Sequence, residues 1–396
     1  MDTEKNAGGT RQIWFAAANS EHGFENHFPA LFSAGTGADA LYIVKGGPGT
    51  GKSGLMRRVA RRAGEAGWQV VFLLCSSDPA SLDGLLLTAP DGRTVGMLDG
   101  TAPHAWEPTL PGTRENLLDL GAFWDVRMLT AQRDAIVRLN LRKSAAYQRA
   151  YRCLRAAGEA DRVAESLTAP CLREAKLDAL AERLLRLAIR GGDWTRAVAG
   201  AVPSGVFRRA FAMTGRARLD TPERLAAKLL CISDRTGAGY RLLHLLRHKA
   251  AERGIAASAF CDPLRPDRAD GILFRDSGLC ILYTPGEPSR TDAATDVSAP
   301  EHPRMLSLRP CLDTDSLRQI RPLLREAEHL REGALRAADR HLASAAEAHF
   351  ALEKIYTAAM DFRAVTAFTD TVCARVLGKR CPEAAQRFSP ESVKNP

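Results

Sequence analysis

"KGGPGTGKSG", residues 45–54, is the stretch that decides the fold of this chain. Residues 46–53 match the pattern G-x-x-x-x-G-K-[ST] at every fixed position. The run before them, "ALYIVK", is short, apolar and β-branched, which predicts a strand. The run after them, "SGLMRRVARRAGEAG", spaces Leu55 and Val59 as a helix does and ends near Gly67. Strand, glycine loop and helix therefore follow one another in the order that a phosphate-binding loop requires.

The residue types in this loop predict what each one does. Glycines let the backbone turn so that successive amides point at phosphate oxygens, and the helix N-terminus adds a partial positive charge. Lys52 supplies a mobile cation for the β- and γ-phosphates of a nucleotide triphosphate, and the Ser53 hydroxyl can ligate Mg²⁺. The alternative is a glycine turn that binds nothing. The predicted nucleotide-binding residues are Gly46, Gly47, Pro48, Gly49, Thr50, Gly51, Lys52 and Ser53.

Enzymes with such a loop hold magnesium through an acid at the end of a neighbouring strand. In "TVGMLDGTAPH" an apolar run ends on Asp99, which predicts that this carboxylate holds Mg²⁺ together with Ser53. In "VVFLLCSSDPASLDG" a strand runs toward Asp78 and Asp83, which would lie at the same carboxyl edge of the sheet and orient a water or an acceptor. A turn or capping role is the alternative for these two acids. The predicted catalytic residues are Lys52, Asp99, Asp78 and Asp83.

Two further features have both a functional and a structural interpretation. His104 follows Asp99 in the same loop, where it would contact a phosphate or a transferred proton, or else be a solvent-exposed loop histidine. In "RKSAAYQRAYRCLRAA" either Arg149 or Arg152 could serve as a cation for the γ-phosphate. The favoured interpretation is a plain amphipathic helix that buries Tyr147 and Tyr151 and leaves the arginines solvated.

Length and composition bound the class of protein. The chain has 396 residues, of which 45% are apolar, enough for two domains with a core each. No apolar run approaches the roughly 18 residues of a membrane span, so no membrane association is expected. The first residues carry acids and no apolar centre, which predicts neither a secretory signal nor a transit peptide and favours a cytoplasmic location. Nine cysteines without a C-x-x-C pair are typical of reduced, buried thiols.

A later segment resembles the glycine loop and its flanks. "CISDRTGAGYRLLHLLRHKAAERG" aligns with "YIVKGGPGTGKSGLMRRVARRAGEAG", and the likeness continues downstream. In this alignment the loop cation, the magnesium hydroxyl, the first glycine and the strand acid are replaced by Tyr240, Arg241, Asp234 and Tyr283. The second copy is therefore predicted to keep the fold and to have lost the usual means of binding Mg-NTP. A cationic contribution of Arg235 or Arg241 to the first site is the alternative role for these arginines.

The fold class expected from these patterns is α/β, with two tandem P-loop NTPase-type domains. Each domain is predicted to be a parallel sheet flanked by helices and followed by a helical segment. The boundary lies in "GGDWTRAVAGAVPSG", which has the composition of a linker and follows a helix predicted over residues 172–190. The predicted domains are residues 1–195 and 205–384, and a disordered tail is expected over residues 385–396.

The chain resembles a family of bacterial tandem P-loop NTPases, which are described as ATPases or nucleotide-kinase-like proteins. The matching segments are "FAAANSEHGFENHF", "IVKGGPGTGKS", "CSSDPASLDG", "LDGTAPH", "LPGTRENLLDLGAFWD" and "AYRCLRAA". The resemblance covers nearly the whole chain and implies ATP binding at residues 46–53 in a cytoplasmic protein. In that family the second half can carry its own glycine-lysine loop, from which "DRTGAGYR" departs.

Three functions fit these observations. The leading hypothesis is an ATPase that hydrolyses Mg-ATP at the first copy. The alternatives are a kinase that transfers the γ-phosphate to a nucleotide or small metabolite, and a scaffold that binds nucleotide without turnover. The intact set of Lys52, Ser53 and Asp99 favours turnover over plain binding.

The net charge of +9 bears on partners other than a nucleotide. It is compatible with a nucleic-acid partner, but solvated helix faces explain the excess of arginine equally well. An aromatic content of only 6% offers little surface for base stacking. A nucleotide triphosphate is therefore the partner that the sequence favours.

Overall fold

The computed structural model describes residues 12–33, 38–284 and 303–378. A twelve-stranded sheet runs through both halves of the chain and is flanked by helices, which confirms the α/β class. The first-half strands are β1 (Gln12–Phe15), β2 (Ala17–Ser20), β3 (Gly23–Asn26), β4 (Ala40–Lys45), β5 (Gln69–Leu74), β6 (Leu82–Thr88), β7 (Thr94–Asp99) and β8 (Glu115–Asp119). The first-half helices are α1 (Phe28–Phe32), α2 (Lys52–Glu65), α3 (Val126–Ala131), α4 (Arg133–Thr168) and α5 (Glu174–Arg190).

The second half repeats this order of elements. Its strands are β9 (Val206–Phe207), β10 (Arg209–Ala212), β11 (Gly215–Arg218), β12 (Lys228–Ile232), β13 (Ala257–Cys261), β14 (Ala269–Phe274), β15 (Leu279–Tyr283) and β16 (Arg304–Met305). Its helices are α6 (Thr221–Leu225), α7 (Ala238–Glu252), α8 (Thr314–Ala358) and α9 (Phe362–Val376). Read outward from the centre, the sheet has the order β1-β5-β6-β7-β4-β8 on one side and β9-β13-β14-β15-β12-β16 on the other. The two sides meet where Phe15 of β1 pairs with Phe207 of β9.

The sheet is mixed, so the prediction of a parallel sheet in each half is only partly right. β4 pairs in parallel with β7 and β8, but β6 is antiparallel to both β5 and β7. β14 is likewise antiparallel to its two neighbours. The physical reason is the length of the connections, because residues 75–81 and 89–93 are too short for the crossover of about a dozen residues that a parallel pair needs.

The helices that follow the two halves are exchanged between them. α5 packs on α7 of the second half, where Leu184 and Leu246 lie in one core. α9 packs on α2 of the first half, where Val372 and Val59 lie in another. The leucine spacing that predicts a helix over residues 172–190 is confirmed, because α5 buries that face. Each half of the sheet therefore has its outer helical layer completed by the other half of the chain.

The two long helices run antiparallel and in contact. Arg142 of α4 pairs with Glu347 of α8, and Asp161 of α4 pairs with Arg331 of α8, so the sequence numbers decrease along one helix as they increase along the other. Buried alanines let the helices approach closely, and the contact residues include Ala150, Leu154, Ala157, Leu335, Ala338 and Leu342. On α4 the exposed Arg149 and Arg152 lie outside this contact, as the amphipathic interpretation predicts.

Three expectations drawn from composition concern membrane spans, the state of the cysteines and the end of the chain. No helix in the described ranges is long and apolar enough to cross a membrane. The cysteines of those ranges are thiols rather than disulfides, and most of them are buried. The tail predicted to be disordered, residues 385–396, lies outside the described residues, as does the start of the chain.

Candidate functional site

The glycine loop, residues 46–53, joins β4 to α2 as predicted. Gly46, Gly49 and Gly51 have φ values of 153°, 70° and 90°, which side-chain-bearing residues rarely adopt. A Cβ on Gly49 would lie 2.7 Å from the backbone oxygen of Glu353 in α8, and it would also collide with the Thr357 hydroxyl. The Thr357 hydroxyl donates to the carbonyl of Gly49 at 3.3 Å. Glycine is therefore required here both for the turn and for the close approach of α8.

The backbone amides of the loop are unsatisfied. Those of Gly47, Gly49, Thr50 and Gly51 donate no hydrogen bond to any other described residue. Since backbone amides without an acceptor are uncommon in folded proteins, four within one short loop suit a site that takes an external anion. They precede the first turn of α2, whose N-terminal end carries a partial positive charge.

Lys52 and Asp99 meet at the mouth of this loop. The Lys52 Nζ donates to the carbonyls of Gly46 and Gly47, at 2.8 and 2.7 Å, and lies 3.5 Å from Oδ2 of Asp99. The parallel pairing of β4 with β7, which sets Val44 opposite Asp99, brings the acid to this edge. Burial raises the pKa of Asp99, and the positive charge of Lys52 opposes that rise. The structure thus brings together the predicted cation and the predicted magnesium acid.

Thr101 connects the exit of β7 to the glycine loop. Its amide donates to Oδ1 of Asp99 at 2.8 Å, and its hydroxyl donates to the carbonyl of Gly46 at 2.9 Å. The Asp99 carboxylate is therefore oriented by its own loop. Sequence reasoning did not single out Thr101, although it lies two residues after the predicted acid.

Ser53 at the start of α2 contacts the start of β6, the strand that carries Asp83. The Ser53 hydroxyl accepts a hydrogen bond of 3.1 Å from the amide of Leu82, the residue before Asp83. Asp83 is itself a strand residue that is only 4% exposed, so the alternative of a turn role is wrong for it. The acid therefore needs a buried partner.

His104 is the partner of Asp83. Its Nε2 lies 3.0 Å from Oδ2 of Asp83, its ring stacks on Phe28 at 5.1 Å, and it is only 5% exposed. Burial lowers the pKa of His104, but the carboxylates of Asp83 and Asp99 more than offset this effect, so the pKa is raised above 6.5. The alternative of a solvent-exposed loop histidine is therefore wrong. The Nδ1 of His104 has no hydrogen-bond partner among the described residues.

Asp78 behaves differently from Asp83. Its Oδ1 accepts from the amide of Ala80 at 3.2 Å, two residues along the chain, which is the contact of a turn residue. Its own amide donates to the sulfur of Cys75. The turn interpretation thus holds for Asp78, while its charge still reaches residues of α8.

Three titratable residues of α4 and α8 are coupled electrostatically to residues of the site and were missed by sequence reasoning. Burial lowers the pKa of Lys143, and the charge of Lys52 lowers it further. Burial also lowers the pKa of His349, helped by Lys143. Burial raises the pKa of Glu353, helped by Asp78 and opposed by Lys52. Of these three, only Lys143 could have been recognised from the sequence, because it precedes Tyr147 of the same helix by one turn. His349 and Glu353 belong to α8, which lies in the other half of the chain.

In the second loop, residues 234–241, two backbone amides donate to a carboxylate of the same loop. Asp234 accepts through Oδ1 from the amide of Thr236 at 2.8 Å and through Oδ2 from the amide of Gly239 at 3.1 Å. The Tyr283 hydroxyl donates to the carbonyl of Asp234 at 3.0 Å. Burial raises the pKa of Asp234, against these hydrogen bonds. A side-chain anion therefore already sits among the amides at the start of α7.

The second half differs from the first at the other matching positions as well. Tyr283 pairs with Ile232 in the register that Asp99 has with Val44, so the predicted replacement of the strand acid is confirmed. α7 begins at Ala238, directly after the left-handed Gly237, as α2 begins at Lys52 after Gly51. By position at the helix start, Ala238 and not Tyr240 therefore takes the place of Lys52.

Four arginines near the second loop pair with acids of the second half or of α5. Asp270, the counterpart of Asp83 in the sheet, lies 3.3 Å from Arg208 and 2.8 Å from Arg209 and is fully buried. Arg235 pairs with Glu328 at 2.5 Å, and Arg241 lies 3.5 Å from Glu174. Among the described residues, the alternative in which Arg235 or Arg241 serves the first site finds no contact in its favour.

Comparisons with protein-family models, with curated proteins and with solved structures find no match to this chain. Within the described ranges, no three histidine, cysteine or acidic side chains are arranged to hold a metal ion among themselves.

Proposed function

We propose that the chain is a magnesium-dependent P-loop ATPase with one active site, the glycine loop, and that its second half is a copy of the same fold without a nucleotide site. The observation that carries this proposal is the contrast between the two loops. Four amides of the glycine loop lack an acceptor among the described residues, whereas in the second loop the amides of Thr236 and Gly239 donate to Asp234. The common strand order of the two halves supports the duplication.

Each residue of the site has a role in this proposal. The loop amides and Lys52 hold the β- and γ-phosphates, and Ser53 and Asp99 hold Mg²⁺. Two protein ligands suit this ion, because Mg²⁺ in such sites keeps waters and phosphate oxygens as its remaining ligands. Bound there, the ion would neutralise charge that develops on the phosphates.

The Asp83–His104 pair is the group that orients the attacking water. The water oxygen forms a bond to the γ-phosphorus while the bond to the bridging β,γ-oxygen breaks, and the proton of the water passes to the Asp83 carboxylate. His104 lies 3.0 Å from that carboxylate and fixes its position. The products are ADP and inorganic phosphate.

Product analysis tests the reaction. The protein is incubated with γ-labelled ATP and Mg²⁺, alone and with a mixture of nucleosides and small metabolites. Free labelled phosphate in the absence of any acceptor supports the ATPase. A labelled small molecule would assign the protein to the kinases instead, and binding without any turnover would make it a nucleotide-binding scaffold.

Substitution at the two loops tests the asymmetry. Lys52→Ala should weaken Mg-ATP binding roughly 10- to 100-fold and abolish turnover, because a charge-assisted contact to phosphate is lost. Tyr240→Phe in the second loop keeps the partly buried ring and is the matched control, with affinity expected to stay at the wild-type value. Calorimetric titration measures both variants, and equal losses from both would overturn the single-site assignment.

A further inference from the structure

The segment after β8, "DLGAFWD", lies against the glycine loop on the side away from Asp99. β4 is flanked by β7 on one side and β8 on the other, and Asp119 pairs with Lys45, the residue before the loop. A Cβ on Gly46 would lie 3.3 Å from the Cβ of Leu120, so the 3-10 helix Leu120–Phe123 touches the loop directly. The loop therefore has two different flanks.

The two flanks differ in chemistry. On the β7 side lie Asp99, Asp83 and His104, the groups that suit a metal and terminal phosphates. On the β8 side lie aromatic residues, with the rings of Phe123 and Phe368 5.4 Å apart and those of Trp124 and Tyr356 5.7 Å apart. A nucleoside triphosphate has the same asymmetry, with charge at one end and a flat, largely apolar base at the other.

A cavity of about 810 Å³ opens on the β8 side. Its volume falls within the roughly 300–1,000 Å³ of small-molecule sites. Phe123, Trp124, Met360 and Phe368 line it together with the carboxylate of Asp119. The Nε1 of Trp124 is buried and has no hydrogen-bond partner among the described residues, although buried indole N–H groups usually find one.

A ring of the second half joins this cavity to the loop. The side chain of Tyr356 would touch a Cβ on Gly47 at 3.2 Å, and the same ring lies against Trp124. At the start of α9, Phe362 would lie 3.6 Å from a Cβ on Gly51. The aromatic flank is thus continuous with the loop that takes the phosphates.

We infer that this cavity holds the purine base of the bound nucleotide, stacked on Trp124. Asp119 at the same cavity can accept from an exocyclic amino group. Met360 and Phe368, which line the cavity, come from the α8–α9 region, so the base site is incomplete without the second half. This inference rests on the proposed function, since it extends the same site from phosphates to base.

Two ligands separate the base site from the phosphate site. Mg-ATP presents both a base and phosphates, whereas inorganic triphosphate with Mg²⁺ presents phosphates alone. Trp124→Leu should weaken Mg-ATP binding on the order of tenfold, as expected for loss of one stacking contact, and leave triphosphate binding unchanged. Trp194→Leu removes a half-buried tryptophan of the 191–205 linker that packs on the second-half core, and it is the matched control, with no change expected in either affinity.

Trp124→Phe keeps an aromatic surface and guards against misfolding of the leucine variant. ATP, but not triphosphate, should change the tryptophan emission of the wild-type protein, and that change should be absent in Trp124→Phe. Equal effects of Trp124→Leu on both ligands, or an ATP-induced emission change that survives in Trp124→Phe, would refute the base site while leaving the ATPase proposal intact. Failure of the wild-type protein to bind either ligand would overturn the ATPase proposal and the base site together.

Discussion

At the scale of single residues, the backbones of the two loops bind side chains of opposite charge. Lys52 donates to carbonyls of the glycine loop, while Asp234 accepts from amides of the second loop. Lys52 occupies carbonyl groups, so the amides of the glycine loop stay available. Asp234 occupies amides, and each of those N–H groups has no second hydrogen to donate to another anion. One aspartate in place of a glycine thus occupies amides of the second loop, which under the proposed function would otherwise be available to a phosphate.

The buried His104 makes a prediction about pH at this scale. Because its folded-state pKa is raised above 6.5, the folded chain binds the His104 proton more tightly than the unfolded chain does. That stabilisation is fully present below about pH 6.5, the pKa of an unperturbed histidine, and is lost as the pH rises through the folded-state pKa. The pair of His104 and Asp83 should therefore stabilise the fold more in mildly acidic than in mildly alkaline solution.

Urea unfolding of His104→Gln between about pH 5.5 and 8.5 measures this effect. The stability advantage of the wild-type protein over this variant should shrink as the pH rises. His329→Gln removes an exposed histidine of α8 and should shift stability equally little at every pH. An advantage that grows with pH would show that the Asp83–His104 pair does not hold the extra proton.

At the scale of elements, the exchange of α5 and α9 is the feature that local patterns do not reveal. Leu177 and Leu184 have helical spacing in the sequence, and α5 does bury that face. The same spacing would suit packing on either half, because periodicity defines a face and not its partner. The β4–loop–α2 unit could be predicted because its contacts are local, whereas Glu353 and Tyr356 reach the loop through pairing between distant segments. The antiparallel strand β6 does have a local signal, since the short connections on either side of it leave no room for a crossover.

Truncation of one leucine tests the partner of α5. Leu184 is 4% exposed in the core that α5 shares with α7, so Leu184→Ala should destabilise the protein by roughly 2–5 kcal/mol. Ile189→Ala on the same helix is the control, because Ile189 is 60% exposed and its loss should change the free energy of unfolding little. Chemical denaturation compares the two variants, and similar small losses from both would mean that α5 does not complete the second-half core.

At the scale of the whole molecule, the halves depend on each other. They share one sheet through β1 and β9, α5 and α9 are exchanged, and α8 ends on the glycine loop. Residues 1–195 alone would lack α9 over α2 and would expose the apolar face of α5. Large exposed apolar faces of this kind promote association.

Separate expression of the halves tests this dependence. Residues 1–195 alone should aggregate or remain poorly folded, whereas co-expression with residues 196–396 should yield a one-to-one complex. As the control, cleavage of the folded chain within residues 191–205 should leave the two fragments associated on size-exclusion chromatography. A monodisperse, folded monomer of residues 1–195 would contradict the shared architecture.

The carboxylate inside the second loop also constrains how this chain can change by mutation. Asp234→Gly alone would strip two amides of their acceptor and gain no cation, while a lysine installed first at Ala238 would be neutralised by Asp234. Gly239 follows Ala238, and a Cβ there would collide with the Tyr283 ring. This next position therefore has no room for a side chain. Each single step is expected to lose stability or to gain no anion site, so a nucleotide site in the second half would require several substitutions at once. The difference between the two loops is therefore hard to reverse by single substitutions.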